Sequence, residues 1–208
     1  MNQPVVTWGA PHAERADAAR NRRHLLATAR RMIAEQGVDT LTMDALAEQA
    51  CLGKGTVFRR FGTRAGIFAA LLDDDEQAFQ QRVLAGAPPL GPGAAPLDRL
   101  IAYGRARTSF LIERCDIARA ALDGHQPIPA GSQTPMSQTH IRVLLGQIDI
   151  GGANPDGTDL DVLAVQLAAA LDGPLLLYLS APDLTSTPQA AERLARSWQD
   201  LVQRVCRP

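Results

Sequence analysis

The chain is predicted to be all-α, and three observations predict it. Aromatic residues are only 4% of its 208 positions, while alanine and leucine abound, which favours helix over sheet. Apolar residues recur three and four apart in successive segments, the spacing of one covered helix face. Between those segments stand strong breakers: AGAPPLGPGAAP at 85–96, GHQPIPAGSQTP at 124–135 and GGANPDGTD at 151–159.

The first helix runs over residues 22–36. Leu25, Leu26, Ala29, Met32 and Ile33 form its apolar stripe, and Gly37 is expected to close it in a left-handed conformation. Residues 1–19 lack an apolar period and are expected to be a mobile tail; Arg15, Arg20, Arg22 and Arg23 read as solvated, with contact to an adjacent minor groove as the alternative.

Residues 42–62, TMDALAEQACLGKGTVFRRFG, are the most informative stretch. Thr42 precedes Met43, Leu46, Ala47 and Ala50, so its hydroxyl is placed to cap a helix, and Asp44 suits that helix's positive end. Cys51-Leu52-Gly53 makes a turn. A second helix then runs from Lys54 to about Phe61, with Val57 and Phe61 four apart and Phe58 beside them, and Gly62 stops it. Two helices joined so tightly cross steeply, which is helix-turn-helix geometry. Thr63 caps the next helix, whose buried face includes Ile67, Phe68, Leu71 and Leu72 and which continues to about residue 84.

The second helix of that pair carries Lys54, Thr56, Arg59 and Arg60 on its outward face. Gly55 costs about 1 kcal/mol against alanine in a helix, so its presence implies that something approaches the backbone closely. Arginine pairs bidentately with guanine, threonine touches a thymine methyl and lysine neutralises phosphate. Singly, each of these residues reads as ordinary solvated surface; together, on a short glycine-bearing helix after a tight turn, they favour DNA. Gly53-Lys54-Gly55-Thr56 is not a phosphate-binding loop, which needs Ser or Thr directly after the lysine. Charge agrees with a DNA-binding head: residues 1–67 hold ten Arg/Lys and six Asp/Glu, a balance of +4, so the remainder carries −5 within a chain of net −1.

The run HLLATARRMIAEQGVDTLTMDALAEQACLGKGTVFRRFGTRAGIFAALL closely resembles the N-terminal domain of TetR-family transcriptional regulators. The resemblance covers roughly residues 20–75, about a quarter of the chain. It implies a DNA-binding domain at 20–75 and a helical effector-binding and dimerisation domain at 76–208. It implies too that a homodimer reads a palindromic operator in double-stranded DNA. On this resemblance Thr42 contacts phosphate, and Lys54, Gly55, Thr56, Phe58, Arg59 and Arg60 form the recognition helix or its border. Three positions depart from the family pattern, the least consequential being Gly62 in place of a common proline. Phe58 replaces a usual tyrosine, so a phenol hydrogen bond to phosphate is missing. Cys51 replaces a usual glycine in the turn, where a left-handed backbone suits a cysteine poorly.

Beyond the head, helices are expected at 97–114, 116–122, 136–148, from Thr158 or Asp159 toward Tyr178, and from Pro188 to about Val205. On the first of these, Leu100, Tyr103, Ala106 or Arg107, and Phe110 or Leu111 point inward. The penultimate helix, with Val162, Leu163, Val165, Leu167, Ala169, Ala170 and 175–177, is apolar over most of its circumference and must be covered on several sides. The last has its own stripe in Leu194, Trp198, Leu201, Val202 and Val205. In the resembled family such a pair docks against its copy. A monomer core covering both is equally consistent with the pattern alone.

An effector pocket follows from the resemblance rather than from spacing, and Tyr103, Arg107, Phe110, His125 and His140 are its candidate residues. The expected effector is an apolar or aromatic small molecule, and the expected output is repression relieved by it. No cofactor, metal or catalytic residue is expected. His-Glu-x-x-His, CxxC and Gly-x-Ser-x-Gly patterns are missing, and Asp73-Asp74-Asp75-Glu76 reads as a solvated face rather than a metal cluster. A helical enzyme and a thiol sensor acting through Cys51 are the rival readings. Three cysteines without ligand spacing, no leader and no apolar run of membrane-spanning length lead to the expectation of a cytoplasmic protein without membrane contact.

Overall fold

The computed structural model describes residues 11–122, 136–150, 158–180 and 188–206, and among these every regular element is helical. The chain divides into two compact units, Met1–Leu71 and Leu72–Pro208, with the division falling inside the fourth helix.

In the first unit, α1 spans Pro11–Gln36, a 3₁₀ turn Val38–Thr40, α2 Met43–Gln49, α3 Lys54–Phe61, and α4 starts at Arg64 and ends at Ala85. The expected tail is thus partly helical: α1 begins eleven residues before the sequence pattern locates it, because the alanine-rich stretch needs no covered face to stay helical. Leu25, Leu26, Ala29 and Met32 of α1, Leu46 and Ala47 of α2, Val57 of α3 and Ile67, Phe68 and Leu71 of α4 are buried together. Gly37 has the expected positive φ of 87°, but its ψ of 166° is extended, so it redirects the chain into the 3₁₀ turn instead of closing a left-handed cap. Thr42 caps α2 as expected, its Oγ1 accepting from the Ala45 amide at 3.1 Å, and Thr63 does the same for the Gly66 amide at 3.0 Å.

Arg64 has a role that periodicity does not reveal. Its guanidinium donates to the carbonyls of Leu41 (2.6 Å) and Val38 (2.9 Å) and lies 4.9 Å over the Phe68 ring. It thereby satisfies the carbonyls of the turn that links α1 to α2.

In the second unit, α5 (Pro96–Glu113), α6 (Cys115–Ala121), α7 (Met136–Leu145), α8 (Leu160–Ser180) and α9 (Pro188–Val205) follow α4. α5 lies centrally, packed on α6, α7, α8 and α9. Its Leu100, Tyr103, Phe110 and Leu111 share a core with Phe79, Ile141, Leu144, Leu167, Leu171, Trp198 and Val202. Asp159 caps α8, its Oδ1 accepting from the Asp161 and Val162 amides at 3.0 Å each. One face of α8 is buried through Ala164, Leu167, Ala168 and Leu171, while Val162 and Val165 stay about half exposed, as does much of Leu201 on α9. Leu201 therefore falls outside the buried stripe expected for α9, because Ala195, Trp198 and Val202 form the face that meets α5.

Candidate functional site

α3 is short because Gly53 and Gly62 bound it, and its one fully buried side chain is Val57, with Phe61 partly buried. Everything else on it is at least partly open. Gly55 has free space around a would-be Cβ, so nothing within the protein requires a glycine there. Phe58 is 65% exposed, the most exposed large apolar side chain described. Exposure of that degree is costly in water.

The cations of α3 differ in what they meet. Lys54 Nζ pairs with Asp44 Oδ2 at 2.8 Å across the turn, both side chains well exposed, so the pair is worth little in water and opens readily to a phosphate. Arg59 Nε donates to its own helix at Gly55 O (3.2 Å), which holds the guanidinium along the outer face. Arg60 is exposed, as expected, and its guanidinium reaches across to donate to Ala18 O of α1 at 3.3 Å. A cleft of about 450 Å³ opens there between Asp17, Ala18 and Asn21 of α1 and Thr56, Arg59 and Arg60 of α3. Thr42 is exposed and already caps α2. The turn itself has Cys51 at φ 53°, the left-handed region, as expected from its place between α2 and α3.

In the second unit, four of the five candidate effector residues come together, and the fifth, His125, lies outside the described residues. Tyr103 is 1% exposed and its hydroxyl donates to Ser137 Oγ at 2.7 Å. The His140 ring is 4.8 Å from the Tyr103 ring; Phe79 joins Tyr103 at 5.9 Å and Phe110 at 4.9 Å. Arg107 pairs with Glu76 and lies over Phe79 (5.5 Å) and Phe110 (5.1 Å). Arg114 pairs with Asp75 at 2.8 Å and stacks on Phe110 at 4.3 Å.

Asp75 and Glu76 therefore depart from the solvated face expected of the acidic run, since Arg107 of α5 and Arg114 just after it lie against them; of the four, Asp73 is exposed and the others are partly buried. Burial raises the Tyr103 phenol, against the pull of the Ser137 bond, and raises the Asp172 carboxyl, against the pull of Arg107. Burial and the Arg99 charge lower His140 from 6.5 to about 4, so its imidazole is neutral at pH 7. Of these groups, sequence periodicity gave no sign of Ser137, Asp172 or Arg99; the Ser137 bond to Tyr103 and the charges of Asp172 and Arg99 on Tyr103 and His140 come from the tertiary structure. A separate open groove of about 760 Å³, lined by Arg82, Pro88, Ile101, Arg105, Glu192 and Gln199 among others, contains none of the four.

Among the described residues, no helix is long and apolar enough to cross a membrane, and no group of His, Cys, Asp and Glu is arranged to hold a metal.

Residues 25–71 match the model of the bacterial regulatory proteins of the tetR family. No curated protein sequence matches the chain. Solved structures share the fold at low identity. A TetR-family transcriptional regulator from Pectobacterium atrosepticum is 20% identical, with 93% of this chain and 98% of that one covered at a TM-score of 0.66. A transcriptional regulator from Rhodococcus sp. Rha1 is 19% identical over 88% of this chain and 96% of that one, with a TM-score of 0.55. The multidrug binding protein EbrR, complexed with imidazole, is 22% identical over 91% of each chain, with a TM-score of 0.53.

Proposed function

Because residues 25–71 make this chain a transcriptional regulator of the bacterial tetR type, we propose that it is a homodimeric repressor released from a palindromic operator by a small organic effector. The observation that carries the DNA reading is α3: an eight-residue helix whose one fully buried side chain is Val57, with Lys54, Gly55, Phe58 and Arg59 exposed. Lys54 and Thr42 neutralise or bond phosphate, Arg59 reads a base edge, and Phe58 lies against sugars or a thymine methyl. Arg60 braces α3 against α1 through Ala18. A dimer places two such helices about 34–36 Å apart, one turn of duplex.

The half-exposed Val162 and Val165 of α8 and Leu201 of α9 support the dimer reading, since a second copy covers apolar side chains that a monomer leaves in water. The effector site in this reading is the interior of the second unit around Tyr103, Arg107, Phe110 and His140. An effector releases DNA only to the extent that it binds the released shape more tightly than the DNA-bound one. No chemical reaction is assigned to the protein.

The direct test is selection of genomic fragments by the purified protein, followed by footprinting. A protected inverted repeat, lost with Arg59→Ala, is the expected result. Failure to retain any duplex at low salt overturns the DNA reading, and a monomeric mass in solution overturns the dimer.

A further inference from the structure

We infer that the interior of the Leu72–Pro208 unit binds a monocarboxylic acid with an apolar body, its carboxylate held between Arg99 and His140. This rests on the effector-site reading above and names the ligand class of that site.

Arg99, Tyr103 and Arg107 stand four apart on α5 and so share one face of it. That face meets the apolar core, yet three buried side-chain nitrogens on or against it have no hydrogen-bond partner among the described residues: Arg99 Nε, Arg107 Nε and His140 Nε2. Buried polar groups are nearly always bonded, and an orphaned donor on a cation is among the costliest to leave open. A ligand acceptor recovers that cost.

The two ends of the stripe are electrostatically unlike. At the Arg107 end the charge is matched, because Glu76 pairs with it and Asp172 senses its field. At the Arg99 end no carboxylate lies within ion-pairing distance among the described residues, and a second orphaned nitrogen is Nε2 of His140, whose ring packs on Tyr103. The Arg99 field reaches His140 strongly enough to help hold it neutral. A neutral imidazole in the tautomer protonated at Nε2 donates one hydrogen bond, and Arg99 Nε–H donates another.

Two donors and one unmatched positive charge fit the two oxygens and single charge of a carboxylate. An organic cation is repelled by Arg99. A diacid that reaches toward Arg107 meets Glu76 and Asp172, which repel a second carboxylate. The core beside this face, with Leu100, Phe79, Ile141 and Leu144, is apolar and closely packed, so the ligand's body is apolar and must part that packing to enter.

Octanoate and 1-octanol share a chain and differ at the head, so calorimetric titration of the full-length protein with each isolates the carboxylate. Octanoate is expected to bind about tenfold or more tighter than octanol, the scale of a charge-assisted bond. Arg99→Gln should abolish that preference, and Arg99→Lys should keep part of it. Since no carboxylate among the described residues matches Arg99, the glutamine variant is expected to unfold at or above the parent midpoint. Equal or tighter binding of octanol overturns the acid inference while leaving an apolar effector site standing. An octanoate preference that survives Arg99→Gln also overturns it. Binding of neither compound at millimolar concentration removes both the inference and the interior site.

Discussion

The indole of Trp198 occupies the space that a side chain at residue 104 would need: a Cβ on Gly104 would fall 1.9 Å from the indole Cε2. The same ring donates its Nε1–H to Leu100 O at 3.1 Å, in the buried seam between α5 and α9. Alanine is favoured over glycine in a free helix by about 1 kcal/mol, so the sign of Gly104→Ala discriminates. Overpacking is expected to win, with a loss of about 1–3 kcal/mol by denaturant unfolding. In a Trp198→Ala background the same change should turn neutral or stabilising. Stabilisation in the parent would show that the seam is looser than described.

Lys54 and Arg59 should fail differently. Lys54→Ala is expected to weaken binding evenly across duplexes and to flatten the salt dependence by about one unit, the mark of a lost phosphate contact. Arg59→Ala should cost about 1–3 kcal/mol on the selected operator and little on random duplex. Binding isotherms on both duplexes over a range of salt separate the two roles. Identical behaviour of the variants would leave Arg59 as a phosphate contact alone.

Cys51 holds a left-handed backbone, φ 53°, that costs a side-chain-bearing residue strain. Cys51→Gly is expected to raise stability by up to about 1 kcal/mol, the relief being partly offset by the freer unfolded chain. Cys115 and Cys206 are buried, so iodoacetamide should mark Cys51 selectively in the folded protein. DNA binding unaltered by that alkylation would dispose of thiol sensing.

His140 links stability to pH. Its folded pKa, lowered to about 4 by burial and by Arg99, lies below the ordinary 6.5, so between these values the unfolded chain holds a proton that the folded one does not. Its contribution is present above pH 6.5 and is lost as pH falls toward 4. Asp172 opposes this, since burial raises its carboxyl and acid then favours the folded form. Thermal midpoints of parent and His140→Gln between pH 7 and 4 should diverge, the variant losing less; parallel curves would show that His140 titrates normally.

The head was legible in the sequence because its information is local. Thr42 caps the helix that begins beside it, Gly62 ends the one it follows, and Val57 and Phe61 mark an inner side four residues apart. Neighbours within a turn or two of the chain dictate all of this, as they do the helix bounds of the second unit, which agree with expectation to within a few residues.

What the order of residues left open involves partners distant along the chain. Arg60 meets Ala18, 42 positions away, and Arg105 reaches Gln199, 94 positions away. The acidic run at 73–76 looked like solvated surface until α5 set Arg107 and Arg114 against two of its members. Likewise Tyr103 was a candidate by type alone, and only the packing of α5 on α7 joined it to Ser137 and His140 and exposed the unmatched Arg99. Helical period states which face of a segment is turned inward. Which charges meet on those faces depends on how the helices cross, and that is settled by packing over the whole core.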